Sequence, residues 1–144
     1  MYKRQAYNAL ANSYQALGEF QFTEKYLNIS FNYSKEINDF YTMSSSSSSL
    51  AQLYLNYYKD PDKALEYNKK SLRYETELNQ PIGIFVAAYN ISDLLLDLYR
   101  PNQAEEYIAI AQKNYDYYTK NIPKYGEYVP YYDCLLYTSP SPRD

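Results

Sequence analysis

Ser30-Phe31-Asn32-Tyr33-Ser34-Lys35-Glu36-Ile37-Asn38-Asp39 returns 41 residues later as Ser71-Leu72-Arg73-Tyr74-Glu75-Thr76-Glu77-Leu78-Asn79-Gln80. Four positions are identical, and Phe/Leu, Ile/Leu and Asp/Gln keep their physical character. A fixed period of about 20–50 residues marks stacked supersecondary units, none of which buries its apolar face alone. The chain therefore reads as an all-α solenoid of stacked antiparallel helix pairs, an architecture that mostly binds other chains.

The period extends beyond the decapeptide. Thr23, Ala64 and Ala104 are 41 and 40 residues apart, as are Tyr26, Tyr67 and Tyr107, and Ser30, Ser71 and Ala111. Each triplet set reads small, aromatic, small at i, i+3 and i+7. That is one helix face with a bulky residue between two small ones, and small residues let neighbouring helices approach closely. These are the second helices of three units, at about 20–37, 61–78 and 102–118. A first helix precedes each. Tyr7, Leu10, Ala11, Tyr14 and Leu17 form an apolar stripe, and Leu50-Ala51-Gln52-Leu53-Tyr54 echoes Leu10-Ala11-Asn12-Ser13-Tyr14. Gly18 suits a left-handed helix end, Asp60-Pro61 supplies an N-cap followed by proline at the first helical position, and Gln80-Pro81 and Pro101-Asn102 mark further starts.

In this spacing the chain resembles the tetratricopeptide repeat family. The residues that carry the resemblance are Tyr7, Leu10, Ala11, Tyr14, Gly18, Phe20 and Thr23 in unit one. Units two and three contribute Leu50, Ala51, Tyr54, Ala64, Tyr67 and Ser71, then Ile91, Ser92, Leu95, Ala104, Tyr107 and Ala111. The match covers about residues 4–120 and divides domain 1–121 into units at about 4–38, 39–79 and 80–120, with a partial fourth at 122–133. The period of 40–41 exceeds the family standard of about 34, as in longer-helix variants that resemble bacterial regulatory and signalling proteins. The proline that usually ends each family repeat is missing from units one and two. A HEAT-like repeat has a similar period, but the small/aromatic/small code argues against it. The resemblance implies a right-handed superhelix whose first helices line a concave, ligand-binding surface.

Composition narrows the chemistry. A formal charge of −3 and a pI near 5.0 leave no lysine/arginine stripe to displace counterions, which argues against nucleic acid. No apolar run approaches the roughly 20 residues of a membrane span. There is no histidine, and Cys134 is the only cysteine, so histidine-based catalysis, histidine-ligated zinc and an intrachain disulfide are all excluded. An enzyme is not expected, and the sequence offers no catalytic residue, cofactor site or metal site. The 22 tyrosines recur mostly at helical spacing, where they fill large core slots and keep their hydroxyls wet. A cytoplasmic location is the default expectation.

Six consecutive serines, Ser44 to Ser49, fall inside the first helix of unit two. Met43 and the Leu50–Tyr54 stretch keep the helical register on either side, so a helix is expected here. Each serine costs roughly half a kcal/mol against alanine. Ser47 stands where Tyr7 stands in unit one, so the stack loses an aromatic plug there.

On the face implied for ligands, the residues projecting off the core stripe are Asn8, Asn12 and Gln15, then Ser48, Gln52 and Asn56, then Tyr89, Asp93 and Asp97. Carboxamides donate and accept, so this face suits the backbone of a protein segment or extended peptide. Asp93 and Asp97, at i and i+4, read either as solvated surface acids or as the place that takes a basic residue of the partner. The basic clamp that the family uses for a C-terminal carboxylate is absent.

The tail Cys134-Leu135-Leu136-Tyr137-Thr138-Ser139-Pro140-Ser141-Pro142-Arg143-Asp144 breaks the repeat. It resembles translated adapter sequence and is expected to be non-native, with the natural chain continuing past about Asp133. The reading is a protein- or peptide-binding scaffold. The alternative is the sensory segment of a bacterial signalling protein, a kinase or transcription regulator, whose effector domain lies outside this fragment. Self-association through the uncapped C-terminal end is also expected.

Overall fold

The computed structural model describes residues 2–121; the expectations for 122–133 and 134–144 lie outside the described residues. The described chain is all-α. It forms α1 (Tyr2–Ala16), α2 (Phe20–Glu36), α3 (Phe40–Leu53), α4 (Pro61–Glu77), α5 (Pro81–Asp97) and α6 (Pro101–Lys120). α3 runs on into one π-helical turn, Tyr54–Tyr58. Each helix packs chiefly against the one before it and the one after it, the arrangement of a helical repeat. The second helices read from the sequence coincide with α2, α4 and α6 to within two residues.

The turns explain the period. Every connection between helices holds one residue in the left-handed region: Gly18 (φ 75°), Asn38 (55°), Lys59 (55°), Asn79 (50°) and Tyr99 (57°). Glycine and asparagine enter that region readily. Lys59 and Tyr99 hold it against a penalty of about 1–2 kcal/mol. Glu19, Asp39, Gln80 and Arg100 each donate their N–H to the carbonyl five residues back, on Tyr14, Ser34, Glu75 and Leu95. Asp60 reaches six residues back, to Tyr54. The π-helical turn thus inserts one residue between α3 and α4. That is why Tyr54 lies 40 residues after Tyr14 while Ala64 lies 41 after Thr23. At the helix starts, Asp60 accepts the Lys63 N–H at 2.9 Å, and Asp39 accepts the Thr42 N–H at 3.3 Å. Pro61, Pro81 and Pro101 begin their helices without wasting a donor.

The small/aromatic/small code is a packing code. Thr23, Ala64 and Ala104 are all buried, as are Ser30, Ser71 and Ala111, while Tyr26, Tyr67 and Tyr107 are half-buried between them. Equivalent rings also pair alike. Tyr14 stacks on Tyr26 at 5.4 Å and 11°, and Tyr54 stacks on Tyr67 at 5.4 Å and 12°. In unit one the stack continues through Tyr7, which lies 6.1 Å from Tyr26 and 5.9 Å from Tyr33. In unit two Ser47 takes the place of Tyr7, fully buried, with a hydroxyl that has no partner among the described residues.

The serine run is helical throughout, and Ser44, Ser46 and Ser47 are buried. Its small side chains let α3 lie close against its neighbours. The buried serines of α2 satisfy their hydroxyls on backbone, Ser30 on the Arg4 carbonyl of α1 and Ser34 on the Ser30 carbonyl one turn back. No helix among the described residues is long and apolar enough to cross a membrane.

Candidate functional site

The odd-numbered helices share a face, and three depressions run along it. The first, ≈ 380 Å³, lies between α1 and the start of α3 and is lined by Arg4, Asn8, Asn12, Asp39, Tyr41 and Ser45 among others. The second, ≈ 320 Å³, lies between α3 and α5 and is floored by Asn68, Ser71 and Glu75 of α4. The third, ≈ 130 Å³, lies further along the same two helices, between Gln52, Asn90, Asp93 and Asp97. Tyr41 and Ser45 line both the first and the second depression, and Asn68 and Asn90 line both the second and the third. The three are therefore segments of one channel across α1, α3 and α5.

Of the residues singled out in the sequence, Asn8 and Asn12 line the first segment, Ser48 the second, and Gln52, Asp93 and Asp97 the third. The other three do not line these depressions. Gln15 is exposed near the end of α1, Asn56 is exposed on the π-helical turn, and Tyr89 is half-buried beside Phe85 with ring centres 6.1 Å apart. Asn68 and Glu75 were missed because the sequence reading drew ligand-facing residues from first helices only. A signal for them exists. Ala64, Asn68, Ser71 and Glu75 follow one another at four, three and four residues, so polar side chains sit on the stripe of α4 that turns toward α3.

Charge changes along the channel. In the first segment Arg4 pairs with Asp39, whose other duties are to hold the Thr42 hydroxyl at 2.6 Å and to cap α3. In the second, Glu75 is the one charged side chain in the lining. In the third, Asp93 and Asp97 stand together, and burial first, then the charge of Asp97, hold the Asp93 carboxyl above its ordinary pKa. One end of the channel is thus neutralised and the other is acidic without a lysine or arginine in its lining.

Within the second segment the Ser44 hydroxyl donates to Oε1 of Glu75 and lies 3.0 Å from the Ser71 hydroxyl. Serine hydroxyls and carboxamides make up most of the remaining polar lining. Such a surface can donate to carbonyls and accept from amides without moving a proton. Among the described residues no group of three His, Cys, Asp or Glu is placed to hold a metal ion.

No protein-family model matches this chain, and no curated protein matches it.

Proposed function

We propose that this chain is a protein- or peptide-binding scaffold, a tetratricopeptide-like, right-handed solenoid of three helix pairs whose concave surface is the face of α1, α3 and α5. The observation that carries the reading is the continuity of the channel. Three depressions joined by Tyr41, Ser45, Asn68 and Asn90 cross three helices in succession, as a site for an extended segment requires and a compact small-molecule pocket does not. Its lining supports the same conclusion, since Asn8, Asn12, Gln52, Asn68 and Asn90 offer amides that can answer both the N–H and the C=O of a partner backbone.

The test is selection of a displayed random-peptide library on the chain, followed by nuclear magnetic resonance mapping with an enriched peptide. Amide shifts are expected to concentrate at Asn8, Asn12, Ser48, Gln52, Asn68 and Asp93. Shifts confined to α2, α6 and the side of α4 away from the channel would overturn the reading, as would failure to enrich any peptide.

A further inference from the structure

We propose that the segment of the channel between α3 and α5 selects a basic side chain, lysine or arginine, from an extended peptide, with Glu75 as its charge partner. The inference rests on the peptide-binding reading above and adds the chemistry of its specificity.

Glu75 lies in a groove and is half-buried, yet none of the ion pairs among the described residues involves it; those pairs are Arg4 with Asp39, Lys70 with Glu66 and Arg100 with Asp62. A half-buried carboxylate that lines a groove and has no cation beside it keeps the capacity to pair with one brought by a ligand. The position of Glu75 is fixed by three helices. α4 carries it, the Ser44 hydroxyl of α3 donates to one oxygen, and α5 presents Gly83 at the point where any Cβ would overlap the carboxylate. The hydroxyl bond uses part of the acceptor capacity of the carboxylate and leaves the rest for a donor from outside.

The walls suit the stem of a long basic residue. Ile82, Val86 and Ala87 give the groove an apolar side, and the Tyr41 ring stands at its junction with the first segment. Lysine and arginine lay their methylenes along such surface and carry the charge at the tip.

Asn68 adds a polar group to the same path. It is 8% exposed, lines both this groove and the next, and its side-chain amide makes no hydrogen bond with the described residues. Its amide atoms are not among the buried polar atoms left without a partner, so they open onto the groove, where a ligand can reach them. Placed at the junction of two grooves, Asn68 completes its hydrogen bonds on a peptide backbone passing over it. Beyond Asn68 the lining holds Asp93 and Asp97 and no cation, so the field along the peptide path keeps one sign.

The experiment uses the full 144-residue chain. It compares two fluorescein-labelled pools of random nonapeptides by fluorescence anisotropy. One pool has lysine fixed at the centre; the other has norleucine, which keeps the methylenes and lacks the charge. The lysine pool is expected to bind about tenfold or more tightly than the norleucine pool. Glu75→Gln is expected to abolish that preference, so that the two pools bind with the same affinity. Gly83→Ala is expected to do the same by displacing the carboxylate while favouring the α5 helix, and it carries the test if circular dichroism finds Glu75→Gln unfolded. Equal affinity for both pools overturns the inference and leaves the peptide-binding reading standing. A lysine preference that survives both variants overturns it by moving the cation to Asp93 and Asp97. Spermidine binding alone as tightly as the lysine pool overturns it by making the groove a small-amine site. Binding of neither pool overturns both readings.

Discussion

Tyr58 of the π-helical turn donates its hydroxyl hydrogen to Glu24 of α2 at 2.8 Å, and Tyr54 donates to the other oxygen of the same carboxylate. One side chain thereby ties the first helix pair to the second. Burial, followed by the hydrogen bond and the charge of Glu24, pushes the Tyr58 phenol up to about 12 from an ordinary 10.0. A phenol whose pKa is higher in the folded state keeps its stabilisation below the unfolded value. The stabilisation is lost as pH climbs from 10 toward 12. Glu24→Ala is expected to lower stability at neutral pH by about 2 kcal/mol, since two hydrogen bonds to a charged acceptor disappear. It is also expected to return the Tyr58 titration toward 10.0. Urea unfolding and ultraviolet difference titration measure the two effects. An unchanged phenol titration would show that Glu24 does not set it.

Ser47→Ala is expected to stabilise the protein. The Ser47 hydroxyl is buried without a partner among the described residues, so its removal relieves an unsatisfied polar group. Alanine also favours the helix by about 0.5 kcal/mol. A gain of about 1 kcal/mol in urea unfolding is the expected outcome. Ser46→Ala gains less, because Ser46 donates to the Asn8 side-chain carbonyl at 3.4 Å. A loss of stability in Ser47→Ala would contradict the unpartnered assignment.

Tyr99 is 93% exposed and sits at φ 57°, so its ring contributes little packing while its Cβ strains the turn. Tyr99→Gly is expected to add about 1 kcal/mol, the relief of left-handed strain less the extra freedom of glycine in the unfolded chain. Thermal unfolding reads this as a rise in midpoint. A fall would mean that the Tyr99 side chain, despite its exposure, holds the turn between α5 and α6.

α3 carries six serines of mediocre helix propensity and lacks a ring at Ser47. Its amides are expected to exchange with solvent deuterium faster than those of α2 and α4 on either side. Peptide-resolved hydrogen exchange provides the measurement. Equal protection across the three helices would show that burial of Ser44, Ser46 and Ser47 outweighs propensity.

Much of this architecture was legible because its packing rule is written in residue size. Thr23, Tyr26 and Ser30 recur as Ala64, Tyr67 and Ser71, two of them unchanged and the third still small, on the face that meets the neighbouring helix. The π-helical turn was written only as a slip of one residue between the Tyr14/Tyr54 and Thr23/Ala64 offsets, too small to notice without knowing where the backbone widens. Projecting positions such as Asn8, Gln52 and Asp93 follow from helix geometry once the resemblance has pointed to the first helices. Asn68 and Glu75 carry a periodic signal on α4 but sit on a second helix, and what brings them to the channel is the gap between α3 and α5 that opens above α4. That gap is a product of packing between helices rather than of the period along any one of them.

The left-handed residues at Gly18, Asn38, Lys59, Asn79 and Tyr99 make each turn a self-contained piece of grammar. Cutting out residues 39–79 would leave Asn38 in front of Gln80-Pro81, the same wording that Asn79 provides now, with the Ser34 carbonyl standing where the Glu75 carbonyl accepts the Gln80 N–H. α2 would then lead into α5 through an unaltered junction. A chain built this way can be shortened or lengthened by whole clauses, and the number of grooves on its face becomes a quantity that duplication and deletion can edit directly.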